Sequence, residues 1–368
     1  MPLLIPNMKK NDLEEYRDLI VSNYQNAVGG KDNCIPFLFP KLRHYYPGHD
    51  KGMLLGITGS AKSGKTALVS HLFYYSTMDY LIEHPNAFPV HFIWFALEES
   101  KRKFFARLDS YLLNRYYHIR VDYNTLMSKI AEKRMSEEVF KLWCSKDFKY
   151  LQDFYTERLT LVKYKNTSDA ILNEIHYRAS QLGKVKKNSN GKIVEYTPAY
   201  PDAYIFVVID NLTNLNVSGK QYIKYNAIEQ LCTELVSLKD LLNFSFILLI
   251  QQNIKETGNL KALMNDNILS SAAGIRDYPS LEADCTDLWS ISNPAVFSQI
   301  HDFGGYDLEA FERNHFRVMQ IIASRNGEVS PAVPLFFDGA TSTFEMLPSP
   351  DDFKALQKYY DKIKSFKN

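Results

Sequence analysis

Met53-Leu54-Leu55-Gly56-Ile57-Thr58-Gly59-Ser60-Ala61-Lys62-Ser63-Gly64-Lys65-Thr66 is the stretch on which the fold of this chain turns. An apolar run of strand type leads into a match to G-x-x-x-x-G-K-[S/T], and Ala67-Leu68-Val69-Ser70-His71-Leu72 behind it has a helical pattern. Strand, loop and helix in that order form the setting in which this motif binds phosphate. A chance match in a chain of this length has odds on the order of one in a hundred at average residue frequencies. Gly59 and Gly64 allow a turn in which successive N–H groups and a helix N-terminus face an anion. The loop Gly59, Ser60, Ala61, Lys62, Ser63, Gly64 is therefore expected to cradle phosphates. Lys65 is expected to reach the β- and γ-phosphates and the Thr66 hydroxyl to ligate Mg²⁺, which makes ATP and Mg²⁺ the expected cofactors.

Outward from this loop, short apolar runs alternate with amphipathic stretches, the signature of βα units around a mostly parallel, twisted sheet flanked by helices. Strands are predicted at Met53–Thr58, Val90–Leu97, Leu159–Lys163, Tyr204–Asp210, Phe244–Gln251, Cys285–Ser292 and Val318–Ala323. Two more, Val333–Phe337 and Ser342–Met346, flank Asp338-Gly339 and predict a C-terminal antiparallel hairpin at the sheet edge. Apolar residues at three- and four-residue steps predict helices at Lys65–Thr77, Ser100–Asn114, Ser168–Leu182 and Asn226–Leu242. Leu13, Tyr16, Leu19, Ile20 and Tyr24 predict a further helix near the N-terminus, broken by Gly29-Gly30. Lys184–Pro201 reads as a protruding hairpin inserted before a strand, and the segment from Phe353 as a mildly basic amphipathic helix or a frayed tail.

Two further groups are needed around a triphosphate. A second carboxylate must organise the metal, and Asp210 ends the buried run Tyr204-Ile205-Phe206-Val207-Val208-Ile209. An Asp at a strand end also caps turns, and only its combination with the loop favours the metal role. A base must orient water, and Phe95-Ala96-Leu97-Glu98-Glu99 ends another strand in carboxylates. Glu98 is the candidate and Glu99 the fallback, against a plain pair of surface charges. Gln251, in Leu248-Leu249-Ile250-Gln251-Gln252-Asn253, is a candidate γ-phosphate sensor or simply an amide closing a strand.

Composition narrows the partners. Hydrophobic residues make up 45% of the chain and charged residues 23%, so it should fold and not remain disordered. With 43 basic and 42 acidic residues the net charge is +1, and any nucleic acid has to be held by a local basic loop or channel. Cys34, Cys144, Cys232 and Cys285 make no C-x-x-C pair, so reduced thiols are expected. No signal segment or membrane span is apparent, and a cytoplasmic protein is the expectation.

The order of motifs resembles the ATPase domain of DnaB-type hexameric replicative helicases, within the RecA-like P-loop NTPase fold, over roughly Ile35 to Pro348. Phe95 to Ser100 is similar to that family's catalytic-glutamate motif, Ile209-Asp210-Asn211-Leu212 to its Walker B run, and Leu249 to Asn253 to its glutamine motif. Gly274-Ile275-Arg276-Asp277 resembles its DNA loop, with Leu281 to Asp287 as the acidic signature that follows. Ser324-Arg325-Asn326-Gly327 resembles the motif of its arginine finger. The resemblance implies an ATP-dependent helicase or translocase on single-stranded DNA, active in replication as a homo-oligomer, a hexamer, with a primase or helicase loader as possible partners. It further implies that Arg325 enters the neighbouring subunit's site, and that Lys255, Lys261, Arg276 and Asp277 belong to a DNA-gripping loop. Residues 1–34 would be an arm whose helix packs on the next subunit, 35–348 the ATPase domain with its insertion hairpin near 184–201, and 349–368 a tail helix. Two departures from the family pattern are read: Ala323 stands where the family commonly has a lysine, and the stretch before the ATPase region is expected to be an arm helix in place of the N-terminal collar domain that docks primase. The rivals are a RecA-type recombination or loader ATPase without unwinding, and a DNA-binding ring component with a vestigial NTPase.

Overall fold

The computed structural model describes residues 10–189, 191–217, 223–251, 268–325 and 328–366. The chain divides into two compact units, Met1–His49 and Asp50–Asn368. In the first, a helix spans Lys10–Val28. It ends where the sequence turns to Gly29-Gly30, with Gly30 at φ 74°, and Asn26 Nδ2 donates to Asn33 Oδ1 at 2.9 Å across the turn. Leu13, Tyr16, Leu19 and Tyr24 along this helix are exposed. A bridge between Pro36 and Gly48 then encloses the short helix Pro40–Tyr45, with proline at its first turn where no N–H is missed.

The second unit is built on a sheet. Its strands in chain order are β1 (Leu54–Gly59), β2 (Val90–Ala96), β3 (Leu159–Val162), β4 (Gly183–Lys187), β5 (Ile193–Pro198), β6 (Tyr204–Asp210), β7 (Ser245–Gln251), β8 (Asp287–Ser292), β9 (Asp302–Phe303), β10 (Tyr306–Asp307), β11 (Phe316–Ser324), β12 (Val333–Asp338) and β13 (Thr343–Met346). Nine of them form one sheet in the order β13-β12-β11-β8-β1-β7-β6-β2-β3. From β8 to β3 the neighbours run parallel, and β11, β12 and β13 add an antiparallel edge. Every residue of β1, β6 and β8 is buried, as expected for parallel strands covered by helices on both faces. The nine segments predicted as strands are these nine. The pair β4 and β5 forms a separate antiparallel hairpin.

Elsewhere the structure adds detail. The helix after the phosphate loop continues past Thr77 to Glu83 and widens into a π-helical turn over Ser70–Tyr75. All six of those residues are buried, and the wider turn sends neighbouring rings to different partners. Tyr75 stacks on Tyr111 at 4.1 Å and Tyr74 meets Phe92 edge-on at 5.0 Å. Two helices unmarked in the sequence reading, Glu137–Trp143 and Lys146–Thr156, are each started by a serine hydroxyl that accepts a backbone N–H, from Val139 and Phe148. The C-terminal segment is a helix, Phe353–Ser365, and not a frayed tail. Leu356 and Ile363 bury its apolar stripe in a cluster with Phe311, Phe316 and Phe336.

Candidate active site

In an open parallel sheet, ligands gather outside the carboxyl ends of the strands. Here β1, β2, β6 and β7 end at Gly59, Ala96, Asp210 and Gln251, and the register aligns Gly59 with Gln251 and Ala96 with Asp210. The chain leaving β2 stays close, because Leu97 and Glu98 both donate their N–H groups to the Asp210 carbonyl. The result is a cleft of about 430 Å³ bordered by the phosphate loop, Glu98, Asn211 and Gln251.

Within the loop, Gly64 sits at φ 106°, a left-handed conformation that a side chain would strain. A Cβ on Gly59 would fall 2.4 Å from the Ile291 carbonyl oxygen, so only glycine fits there. Lys65 Nζ donates to the Gly59 and Ser60 carbonyls at 2.8 and 2.9 Å. Burial lowers its pKa to about 8, against the opposing pull of Asp210 and Glu98. Thr66 Oγ1 donates to Asp210 Oδ1 at 3.1 Å, joining the two motifs on which a phosphate-bound Mg²⁺ depends.

Burial, with the charges of Glu99 and Glu98 beside it, raises the Asp210 carboxyl to about 7. A buried carboxylate next to a hydroxyl is a donor set that suits a hard divalent cation. Among the described residues no three His, Cys, Asp or Glu side chains cluster as a complete cage. One carboxylate and one hydroxyl suit Mg²⁺, which is commonly held by one or two carboxylates together with substrate phosphates and water.

The two glutamates are divided by their surroundings. Glu98 borders the cleft and its charge acts on Lys65. Glu99 is turned into an ion pair with Arg107, and burial still pushes its carboxyl up. Arg107 itself borders the cleft together with Lys103, and its Nε is buried without a hydrogen-bond partner. Neither cation was singled out from the sequence. They lie four residues apart on the helix Lys101–Tyr117, and that spacing on the helix opened by the glutamates was the available signal.

Other expected site residues lie outside the cleft. Arg325 follows β11, which runs antiparallel to β8, and its N–H donates to the Thr286 carbonyl at 2.9 Å. This is the amino end of β8, roughly 20 Å along a six-residue strand from the phosphate-loop edge. The Arg325 guanidinium donates to the Ala283 carbonyl. Arg276 is half exposed beside Asp277, at 3.5 Å, and its backbone N–H donates to the Gln251 carbonyl at 2.8 Å. Lys255 and Lys261 lie outside the described residues.

The wall behind the loop is aromatic. Phe344 and Phe337 stack at 4.6 Å and their rings approach Gly64. The Phe344 N–H donates to His71 Nδ1 at 3.1 Å, tying β13 to the helix that leaves the loop. Burial, and secondarily Arg115, lowers the His71 pKa to about 3. The folded protein holds this ring neutral while the unfolded chain protonates it below about 6.5, so its contribution to stability is lost as pH falls through that range. Lowering pH from 7 to 5 should remove about 2 kcal/mol through this group alone. His71→Asn keeps an acceptor for the Phe344 N–H, and urea unfolding of that variant should show a correspondingly flatter pH dependence. An unchanged slope would mean that the ring is not buried neutral.

Solved structures share the architecture. The chain is similar to a DnaB-like replicative helicase, described with its interactions with primase, at TM-score 0.62 and 14% identity over 92% of this chain and 68% of that one. It is also similar to a solved ATPase domain at TM-score 0.59 and 15% identity, over 90% of this chain and 98% of the other. At these identities the likeness is one of fold, which is RecA-like with the β12–β13 hairpin at its edge. No protein-family model and no curated protein matches the sequence. Among the described residues no helix is long and apolar enough to cross a membrane.

Proposed function

We propose that this chain is an ATP-driven helicase or translocase on single-stranded DNA, working in replication as a homo-oligomeric ring, a hexamer. The observation that carries the reading is the 3.1 Å contact of Thr66 with Asp210 in a cleft shared with Lys65, Glu98 and Gln251. Lys65 and the loop N–H groups hold the β- and γ-phosphates. Bound Mg²⁺, held by Thr66 and Asp210, would offset phosphate charge. Glu98 takes a proton from water as its oxygen attacks the γ-phosphorus and the bond to the bridging oxygen of ADP breaks.

Oligomerisation is supported by Arg325, too far along β8 to serve its own cleft, and by the exposed apolar face of the helix Lys10–Val28. A primase or a helicase loader would be the partner class of the assembled ring. Coupling to DNA is supported by the backbone link from Gln251 to Arg276, which joins a γ-phosphate sensor to a basic loop. Single-strand binding by such a loop works through phosphate contacts and counterion release. Arg276→Ala should therefore weaken single-strand affinity and reduce the slope of log K against log salt by about 1. An unchanged slope in a fluorescence-anisotropy titration would remove Arg276 from the DNA grip.

The whole reading is tested by measuring ATP hydrolysis with and without single-stranded DNA beside a strand-displacement assay. DNA-stimulated hydrolysis with unwinding is expected. Stimulation without unwinding would instead favour a RecA-type recombination or loader ATPase, and absence of hydrolysis a vestigial site.

A further inference from the structure

The geometry points to Arg317 as a positioning residue for nucleotide phosphates, clamping the loop from behind so that the Gly64 N–H faces the anion. This rests on the nucleotide reading of the cleft. Arg317 lies on β11, 2% exposed, and its Nε donates to the Ser63 carbonyl at 2.8 Å. Its Nη1 donates to the Asn314 and Phe316 carbonyls at 2.9 and 2.7 Å, and its guanidinium lies 4.7 Å from the ring centre of Phe337. Among the described residues no carboxylate forms an ion pair with it. All these partners are neutral, and burial lowers its pKa to about 10, which leaves it charged at neutral pH.

A buried cation held only by carbonyls and a ring, with no carboxylate beside it, is costly to desolvate. The arrangement makes sense if the charge is used when an anion arrives. Ser63 C=O and Gly64 N–H belong to one planar trans peptide and point in opposite directions. Holding the carbonyl toward Arg317 turns the Gly64 N–H to the other side, toward the cleft that Gly64 borders. A charge-assisted bond on the carbonyl also polarises that N–H as a donor. Because the guanidinium is buried, salt screens its field weakly, and it acts on a triphosphate through only one peptide.

The test uses the full-length protein, with Arg317→Met and Arg317→Lys, titrated with ATP and with inorganic tripolyphosphate by calorimetry. A ligand-free thermal midpoint is measured beside each titration. Arg317→Met should weaken both ligands about 10- to 100-fold, the worth of one charge-assisted hydrogen bond, and should lower the ligand-free midpoint because three carbonyls lose their donor. Arg317→Lys, which keeps charge but loses the fork, should fall between. Unchanged affinity for both ligands would overturn the proposal. So would a lowered ligand-free midpoint with affinity intact, or failure of both variants to fold, since either would make Arg317 a structural brace. A wild-type protein that binds neither ligand would instead remove the nucleotide reading on which the proposal stands.

Discussion

Lys65→Ala protein is expected to lose ATP turnover by at least roughly 10²–10³-fold, the scale seen when one preorganised donor to developing charge is removed. The ammonium is held between the Gly59 and Ser60 carbonyls, within the field of Asp210 and Glu98. Such a group contributes where charge gathers on the β- and γ-phosphate oxygens, so its loss should appear in kcat as well as in affinity. The substitution shortens one side chain at the helix start and leaves the strand and helix intact, so the circular dichroism of the variant should match wild type. Retained turnover in a folded Lys65→Ala protein would mean that the loop does not bind the reacting phosphates.

Arg325→Ala is expected to lower turnover by about 10³–10⁵-fold while ATP binding stays near wild type. The magnitude follows from a cation that meets the phosphoryl group only as it transfers. The direction of the contact follows from the sheet: β11 carries Arg325 to the amino end of β8, beside Thr286, while the loop leaves the carboxyl end of β1. On the proposed ring reading, a finger so placed would serve a neighbour. Mixing Arg325→Ala with Lys65→Ala should then restore part of the activity, because a Lys65→Ala subunit donates an intact Arg325 to an intact loop. No gain on mixing, with each variant inactive alone, would rule out a finger that acts between subunits.

The phosphate loop, the nine strands and the acidic strand ends were all legible along the chain, because each is a short contiguous segment whose pattern is local. Asp210 was credible as a metal ligand only beside the loop, and the structure supplies that neighbour. Glu98 was ranked above Glu99 in sequence on thin grounds, since adjacent residues on a strand end carry the same composition signal. What separates them is Arg107, which takes Glu99 and leaves Glu98 at the cleft. Arg317 was missed because the strand was read from Val318, and one cation at the edge of an apolar run gives no sign of facing inward.

By itself, then, the sequence picked out the loop proposed to bind phosphate and determined the alternation of strands and helices that makes a parallel sheet. Those properties depend on residues within a few positions of one another. Only the tertiary structure decided which segments meet: Thr66 with Asp210, 144 residues apart, and Ser63 with Arg317, 254 apart. The physical reason is the crossover order of the sheet, in which β8, β1, β7 and β6 lie side by side though distant along the chain. Parallel neighbours are chosen by how whole layers pack, and no local periodicity records that choice.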